Sequence, residues 1–344
     1  MEPVAKRRKA MDIYDTESWD VLPVLSDEQS RDTELLPAFA APIIEKRETS
    51  QLIKELSLSH PLPGLQHIKR VRACKDKSRP HPLEIIVCLV KDVQKMDARK
   101  EITLADLLCT HSFDSRGLGE LFLVEIPASP PLTRAQFEKA SKHWPTSFHE
   151  DKQVTSALRG QLFTADQKAK MQEYMMAAIK AAKYGRERGM DAVGAVIVDP
   201  ESEQIIAVGH DCKNISHPLH HAVMVCIDLV ACGQSGGAYN YEKYPACHYS
   251  SPETSSSATE SGQPYICTGY DLYVTREPCV MCAMALVHSR INRVFYGAPS
   301  ADGALGSKYK IHCQKDLNHH FEVFKGVMLN TCEALHKNDF IICS

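Results

Sequence analysis

The chain has 344 residues with a formal net charge of −3, of which 44% are hydrophobic and 24% charged. These are the proportions of a soluble globular protein with room for two cores, and its apolar runs, residues 193–198 and 222–232, fall short of the roughly 20 residues that span a bilayer. No apolar stretch follows the N-terminus and the thirteen cysteines are odd in number, so reduced thiols are expected rather than a secreted disulfide framework; the net charge leaves any nucleic-acid contact to a local patch.

Residues 1–36 read as a flexible tail. Lys6-Arg7-Arg8-Lys9 is a compact basic run, open to reading as a nuclear import signal or as a solvated terminus. The acidic stretch after it argues against a mitochondrial transit peptide. Residues 37–150 are predicted as an N-terminal α/β domain. A helix is expected at 46–57, strands at 66–74 and 83–90, and a short helix at 103–109 behind the N-cap Thr103. A strand at 120–126 and a helix at 133–144 follow. The order α-β-β-α-β-α suggests a small sandwich resembling a ferredoxin-like domain. Residues 60–100 hold ten lysines and arginines against four acids. The densest group, Lys69, Arg70, Arg72, Lys75, Lys77 and Arg79, is the candidate for RNA phosphate contact; a charged, solvated strand edge is the alternative.

Residues 151–170 are expected to be a linker, and 171–344 a second domain. A long helix over 168–189 carries Met171, Met175, Ala178, Ile179 and Ala182 at helical spacing, a core stripe rather than a cofactor site. Strands are predicted at 193–198 and 205–209, on either side of Asp199-Pro200. His221 opens an apolar helix. Residues 233–262, rich in Ser, Gly and Pro, are expected to be a mobile insertion.

The chemistry lies in Pro278-Cys279-Val280-Met281-Cys282. Proline suits a first helical turn, and cysteines three apart lie about 60° apart around a helix, so both sulfurs can face one metal. The positive helix end favours the thiolate that zinc binds. The spacing alone is weak, since thirteen cysteines generate about half of one such pair by chance. His221-Ala222-Val223 upstream strengthens it, because zinc-dependent nucleobase deaminases carry H-x-E and then P-C-x-x-C, the glutamate relaying protons without touching the metal. Here a valine stands at the glutamate's place.

Together with Glu277, the strands at 193–196 and 294–297, and Asn214, this series resembles the tRNA adenosine deaminases over residues 171–344. With the added N-terminal domain, the chain resembles the non-catalytic subunits of the eukaryotic tRNA wobble adenosine deaminases. The resemblance implies an α/β protein whose C-terminal domain is a three-layer α/β/α cytidine-deaminase-like fold around a mixed sheet. It implies Zn²⁺ held by His221, Cys279 and Cys282, no catalytic residue because Val223 holds the acid/base position, and Asn214 at a base-contacting position. It also implies a heterodimer with a catalytic subunit that converts adenosine to inosine at tRNA position 34, working in nucleus and cytoplasm. The fourth zinc position is open to a water or to the apolar tail 340–344. Two other readings remain at this stage: an active deaminase using Asp228 or Glu277 as a relocated carboxylate, and a zinc-stabilised interaction module unrelated to RNA. A glutamate at the place of Glu277 accompanies the H-x-E in active relatives, which speaks against it as a replacement.

Overall fold

The computed structural model describes residues 18–74, 81–93, 103, 104, 107, 116–250 and 265–337. The chain divides into two compact units, one of residues 27–155 and one of residues 18–26 and 156–337. It opens with β1 (Leu22–Pro23), which belongs to the second unit. Residues 18–36 are therefore not the featureless tail expected; residues 1–17, including the basic run, lie outside the described residues.

The first unit is built on β2 (Leu35–Ile43), β3 (Val71–Ala73), β4 (Leu83–Leu89) and β5 (Phe122–Pro127), in the order β3-β4-β2-β5 with every neighbour antiparallel. That order is the one a ferredoxin-like sandwich has. The expected pattern missed β2, which is central. Pro37 and Pro42 make it read as a non-strand, yet Ala38, Ala40 and Ala41 are fully buried and the ladder accommodates a bulge at Phe39/Ala40. The strand expected at 66–74 shrinks to three residues because Leu62 to Ile68 turn back on themselves through hydrogen bonds Leu65 N to Leu62 O and Ile68 N to Leu65 O. Most of the helix expected at 103–109 lies outside the described residues.

Alternation along β4, shifted by one residue at the bulge, fills two cores. Ile85 and Val87 face Leu52 and Leu56 of the helix Thr49–Ser59; Ile86 and Leu89 face Leu65, Ile68 and Trp144. Trp144 follows the helix Arg134–His143, whose N-cap Thr133 and Gln136 form a capping box. Its indole N–H donates to Lys69 O at 2.6 Å. The Arg72 guanidinium lies 4.0 Å from the Trp144 ring centroid and pairs with buried Glu84 at 2.7 Å. Arg70 donates to the carbonyls of His60, Ile86 and Val87, and burial pulls its guanidinium down to about 10. The expectation that Arg70 and Arg72 serve as phosphate contacts is corrected here: both guanidiniums are half-buried and spent on internal partners. Lys69 is exposed, and Lys75, Lys77 and Arg79 lie outside the described residues.

The second unit is a three-layer α/β/α sandwich on a mixed seven-stranded sheet. β6 (Gly194–Asp199), β7 (Gln204–His210), β8 (His248–Tyr249), β9 (Asp271–Arg276), β10 (Arg293–Ala298) and β11 (Glu322–Lys325) join β1 in the order β1-β11-β10-β9-β6-β7-β8. β9, β10 and β11 run parallel to one another; the other pairs are antiparallel. Ala195, Ile197, Leu272, Val274 and Val294 face the helices Ala222–Gly233 and Val280–His288. Val196, Val198, Tyr273, Phe295 and Phe324 face the helices Ala165–Arg186 and Leu329–Lys337. In-register Tyr273, Phe295 and Phe324 stack with centroids 4.7 and 5.1 Å apart. The long helix presses its backbone on the sheet at Gly194, where a Cβ would sit 2.0 Å from Ala178 O.

Two further expectations change. The 151–170 linker is partly helical: Lys152–Leu158 is a helix, and Thr164 caps the long helix through a capping box with Gln167. The expected mobile insertion has fixed structure over its described residues 233–250. The Asp228 carboxylate accepts from the Ala238 and Tyr239 amides and the Tyr241 hydroxyl, and β8 pairs with β7. Its Ser and Gly content concealed three tyrosines that pack on the core. Residues 251–264 lie outside the described residues. No helix among the described residues is long and apolar enough to cross a membrane.

Trp144→Ala removes the largest side chain of one core face together with a buried hydrogen bond. It is expected to cost about 3–5 kcal/mol. Chemical unfolding of the full chain checks this; a change below about 1 kcal/mol would contradict the packing described.

Candidate metal centre

Two helix starts converge on one point. The loop after β7 delivers His221 as the N-cap of Ala222–Gly233, and β9 leads through Glu277 and Pro278 to Cys279, the N-cap of Val280–His288. Proline thus precedes the cap instead of sitting in the first turn, and only Cys282 lies within the helix. Cys279 Sγ is 3.7 Å from His221 Nδ1, and the donor atoms of His221, Cys279 and Cys282 all lie within 4.8 Å of one another. Hydrogen bonds from Cys282 and His221 draw the Cys279 thiol down to about 3, while the same contact with Cys279 and burial push Cys282 up. The neighbouring Cys279 raises His221 above the ordinary imidazole value. The trio therefore holds a thiolate at the positive ends of two helices.

The donor set fits zinc. A tetrahedral ion with Zn–S of about 2.3 Å and Zn–N of about 2.0–2.1 Å sets sulfur and nitrogen about 3.6 Å apart, against the 3.7 Å found. A cavity of about 270 Å³ opens beside the trio, lined in part by Val223, Val274, Asp211 and Lys213. Val223 is 3% exposed and contributes only methyl groups to that wall.

Neither carboxylate that the sequence offered as a replacement, Glu277 or Asp228, is free to take the missing one's place. Glu277 reaches the cavity, but its oxygens accept from the amides of Ser300, Leu305 and Ser307 and from the Ser307 hydroxyl. The fit is so close that a Cβ on Gly303 would lie 2.1 Å from Glu277 Oε2. Asp228 is occupied by the insertion, as described above. Asn214, at a position that the resemblance gives to base contact in active relatives, is held by its own loop here. Its Oδ1 accepts from the Ser216 and His217 amides and its Nδ2 donates to Cys212 O and Tyr244 Oη, which makes it a loop-shaping residue away from the cavity lining. Asp211 and Lys213, which sequence reasoning missed, line the cavity instead. Burial raises the Asp211 carboxyl, and Lys213 bridges Asp191 and Asp211. No spacing rule marks these two; only the turn after β7 directs them inward.

Comparison with known proteins places this arrangement. Residues 168–298 match the cytidine and deoxycytidylate deaminase zinc-binding region, so the three-layer unit is of the deaminase class. Residues 37–144 match the tRNA-specific adenosine deaminase TAD3 N-terminal domain. A Danio rerio protein, "Probable inactive tRNA-specific adenosine deaminase-like protein 3", is 76% identical over 98% of this chain and 100% of its own length. The Homo sapiens protein of that name is 55% identical over 92% of each chain. The chain belongs to the tRNA-specific adenosine deaminase-like protein 3 family. A Schizosaccharomyces pombe relative, 29% identical over 81% of this chain and 79% of its own, is named a "tRNA-specific adenosine deaminase subunit". The inactivity in the relatives' names agrees with a hydrocarbon at position 223.

Cys279→Ala removes one donor and is expected to abolish zinc retention, with a stability loss of about 4 kcal/mol where free zinc exceeds Kd a thousandfold. Val223→Glu keeps all three donors and is expected to retain zinc and melt within a few degrees of the parent. Metal analysis with thermal melts reads both; metal retained in the alanine variant would contradict the assignment.

Proposed function

We propose that this chain is the non-catalytic, zinc-containing subunit of a heterodimeric tRNA adenosine deaminase that forms inosine at position 34. The observation that carries the reading is a complete His/Cys/Cys donor set beside a cavity wall made of Val223. His221, Cys279 and Cys282 would hold Zn²⁺, which supplies folding free energy by tying together two helix starts. Valine has no atom to take a proton from a zinc-bound water or to return one to a leaving amine, so the proton relay falls to the catalytic subunit. The deaminase-like unit serves as the pairing surface for that subunit.

The first unit supplies tRNA affinity. An anticodon-loop base offers little contact area, and phosphate contacts elsewhere add to it. Lys69 is exposed on this unit, and Lys75, Lys77 and Arg79 continue the basic run. Arg70 and Arg72 support the same region from inside, holding the carbonyls and the Glu84 carboxylate that shape β3 and β4. The basic run at residues 6–9 supports a place in the nucleus as well as the cytoplasm.

Reconstitution tests the reading. Co-expressed with a deaminase subunit carrying an intact H-A-E, this chain is expected to co-purify with it and to be required for inosine at position 34. Full inosine formation by that subunit without this chain would overturn the proposal. A second measurement separates the basic residues. Alanine at Lys69, Lys75, Lys77 and Arg79 is expected to weaken tRNA binding and to flatten the log–log salt slope by about 0.7–0.9 per lost contact. Arg72→Ala is expected instead to lower stability, by about 3 kcal/mol, because it removes the ion pair with buried Glu84 and the guanidinium packed on Trp144. An unchanged salt slope in the lysine variant would remove this unit from the tRNA interface.

A further inference from the structure

The deaminase-like unit carries a second trio of the same composition. His210 ends β7, Cys212 follows two residues later, and Cys247 comes from the segment just before β8. The three residues are 0%, 0% and 6% exposed. Cys212 Sγ lies 3.7 Å from Cys247 Sγ and 3.7 Å from His210 Nδ1, and one ring nitrogen and both sulfurs all fall within 4.8 Å of one another. The two trios share no residue.

The second trio is chemically unsatisfied as it stands. His210 Nδ1 bonds the Asp211 carbonyl at 2.7 Å, while Nε2 is buried with no hydrogen-bond partner. Two cysteine sulfurs and an imidazole with a stranded nitrogen thus sit inside the core that also contains Val225 and Tyr241. Burial of such groups is costly unless a partner joins them. A soft cation is that partner, since thiolate and imidazole are the donors it prefers.

We propose that His210, Cys212 and Cys247 form a second metal site, for a thiophilic cation of the zinc type. Binding displaces the protons of both thiols and leaves two thiolates and one imidazole on the ion. The three donors match the number that zinc sites with one added water use. The site ties the insertion to the end of β7. Asp228 already holds Tyr239 and Tyr241 from one side. Their rings pack on His217 and His220, immediately before His221 in the chain. A cation at Cys247 anchors the same segment from its other end, and so steadies the loop that delivers the first centre's histidine.

The test is a metal count on the full chain, purified under reducing conditions and supplied with zinc alone. The intact protein is expected to hold about two ions per chain, and Cys212→Ser and Cys279→Ser about one each. A count of about one that Cys212→Ser leaves unchanged would overturn the second site. A count unchanged by Cys279→Ser would instead sink the first, so the two assignments fail separately. Should Cys212→Ser not fold, Cys247→His keeps a donor. Its cobalt-substituted form is expected to lose about a quarter of the thiolate-to-cobalt charge-transfer absorbance, one of four thiolates; an undiminished band overturns the site. A Cys212–Cys247 disulfide in protein kept under reducing conditions would also overturn it.

Discussion

Two helices begin at the same point with a thiolate between them, and much of the deaminase-like unit is arranged to make that possible. The partial positive charges of the helix starts stabilise Cys279 as an anion. The helices bury their apolar faces on one side of the sheet. The parallel strands β9 and β10 flank the connection that carries the cysteines, and Glu277 secures its entry through three backbone amides. Of these interactions only the apolar packing includes position 223, where Val223 serves as a hydrocarbon. The architecture therefore survives a change that removes proton transfer, because the electrostatics that hold a metal and the group that performs chemistry reside in different side chains.

The same separation accounts for what fills the cavity. A working site for a nucleobase needs a proton relay and polar contacts to the ring. Here the wall offers valine side chains, an ion pair of Lys213 with Asp191 and Asp211, and the side chains of Arg276, Ser300 and Asp302, with a hydrocarbon at position 223. Glu277, one of the two carboxylates that the sequence offered as a replacement, is already saturated by donors and wedged against Gly303. Charge on the first unit is divided in a similar way: Arg70 and Arg72 organise the fold, and Lys69 remains at the surface.

The meeting of His221, Cys279 and Cys282 was legible in the sequence because its signal is local: a proline and two cysteines three apart, with a histidine at the start of an apolar helix. The apolar runs that form β6, β7 and β10 and the core stripe of the long helix were legible for the same reason. What escaped depended on tertiary context. β2 hides behind two prolines, and β9 and β11 are short buried runs. The insertion was judged by its serines and glycines, while Asp228 and three tyrosines decided its course. Asn214 sits at the right place in the chain for a base contact, but the turn it shapes spends its side chain on neighbouring backbone. Arg70 and Arg72 read as surface charge because the carbonyls and the glutamate that bind them come from β4, well over ten residues away. His210, Cys212 and Cys247 carried no motif at all, since 35 residues separate the two cysteines.

The central claim is that an intact cation cage persists without a proton relay. The most direct measurement is ammonia release by the purified, zinc-loaded chain alone, on tRNA and on free adenosine and cytidine. The account predicts no turnover above the uncatalysed rate. Zinc-dependent release from either base would contradict it.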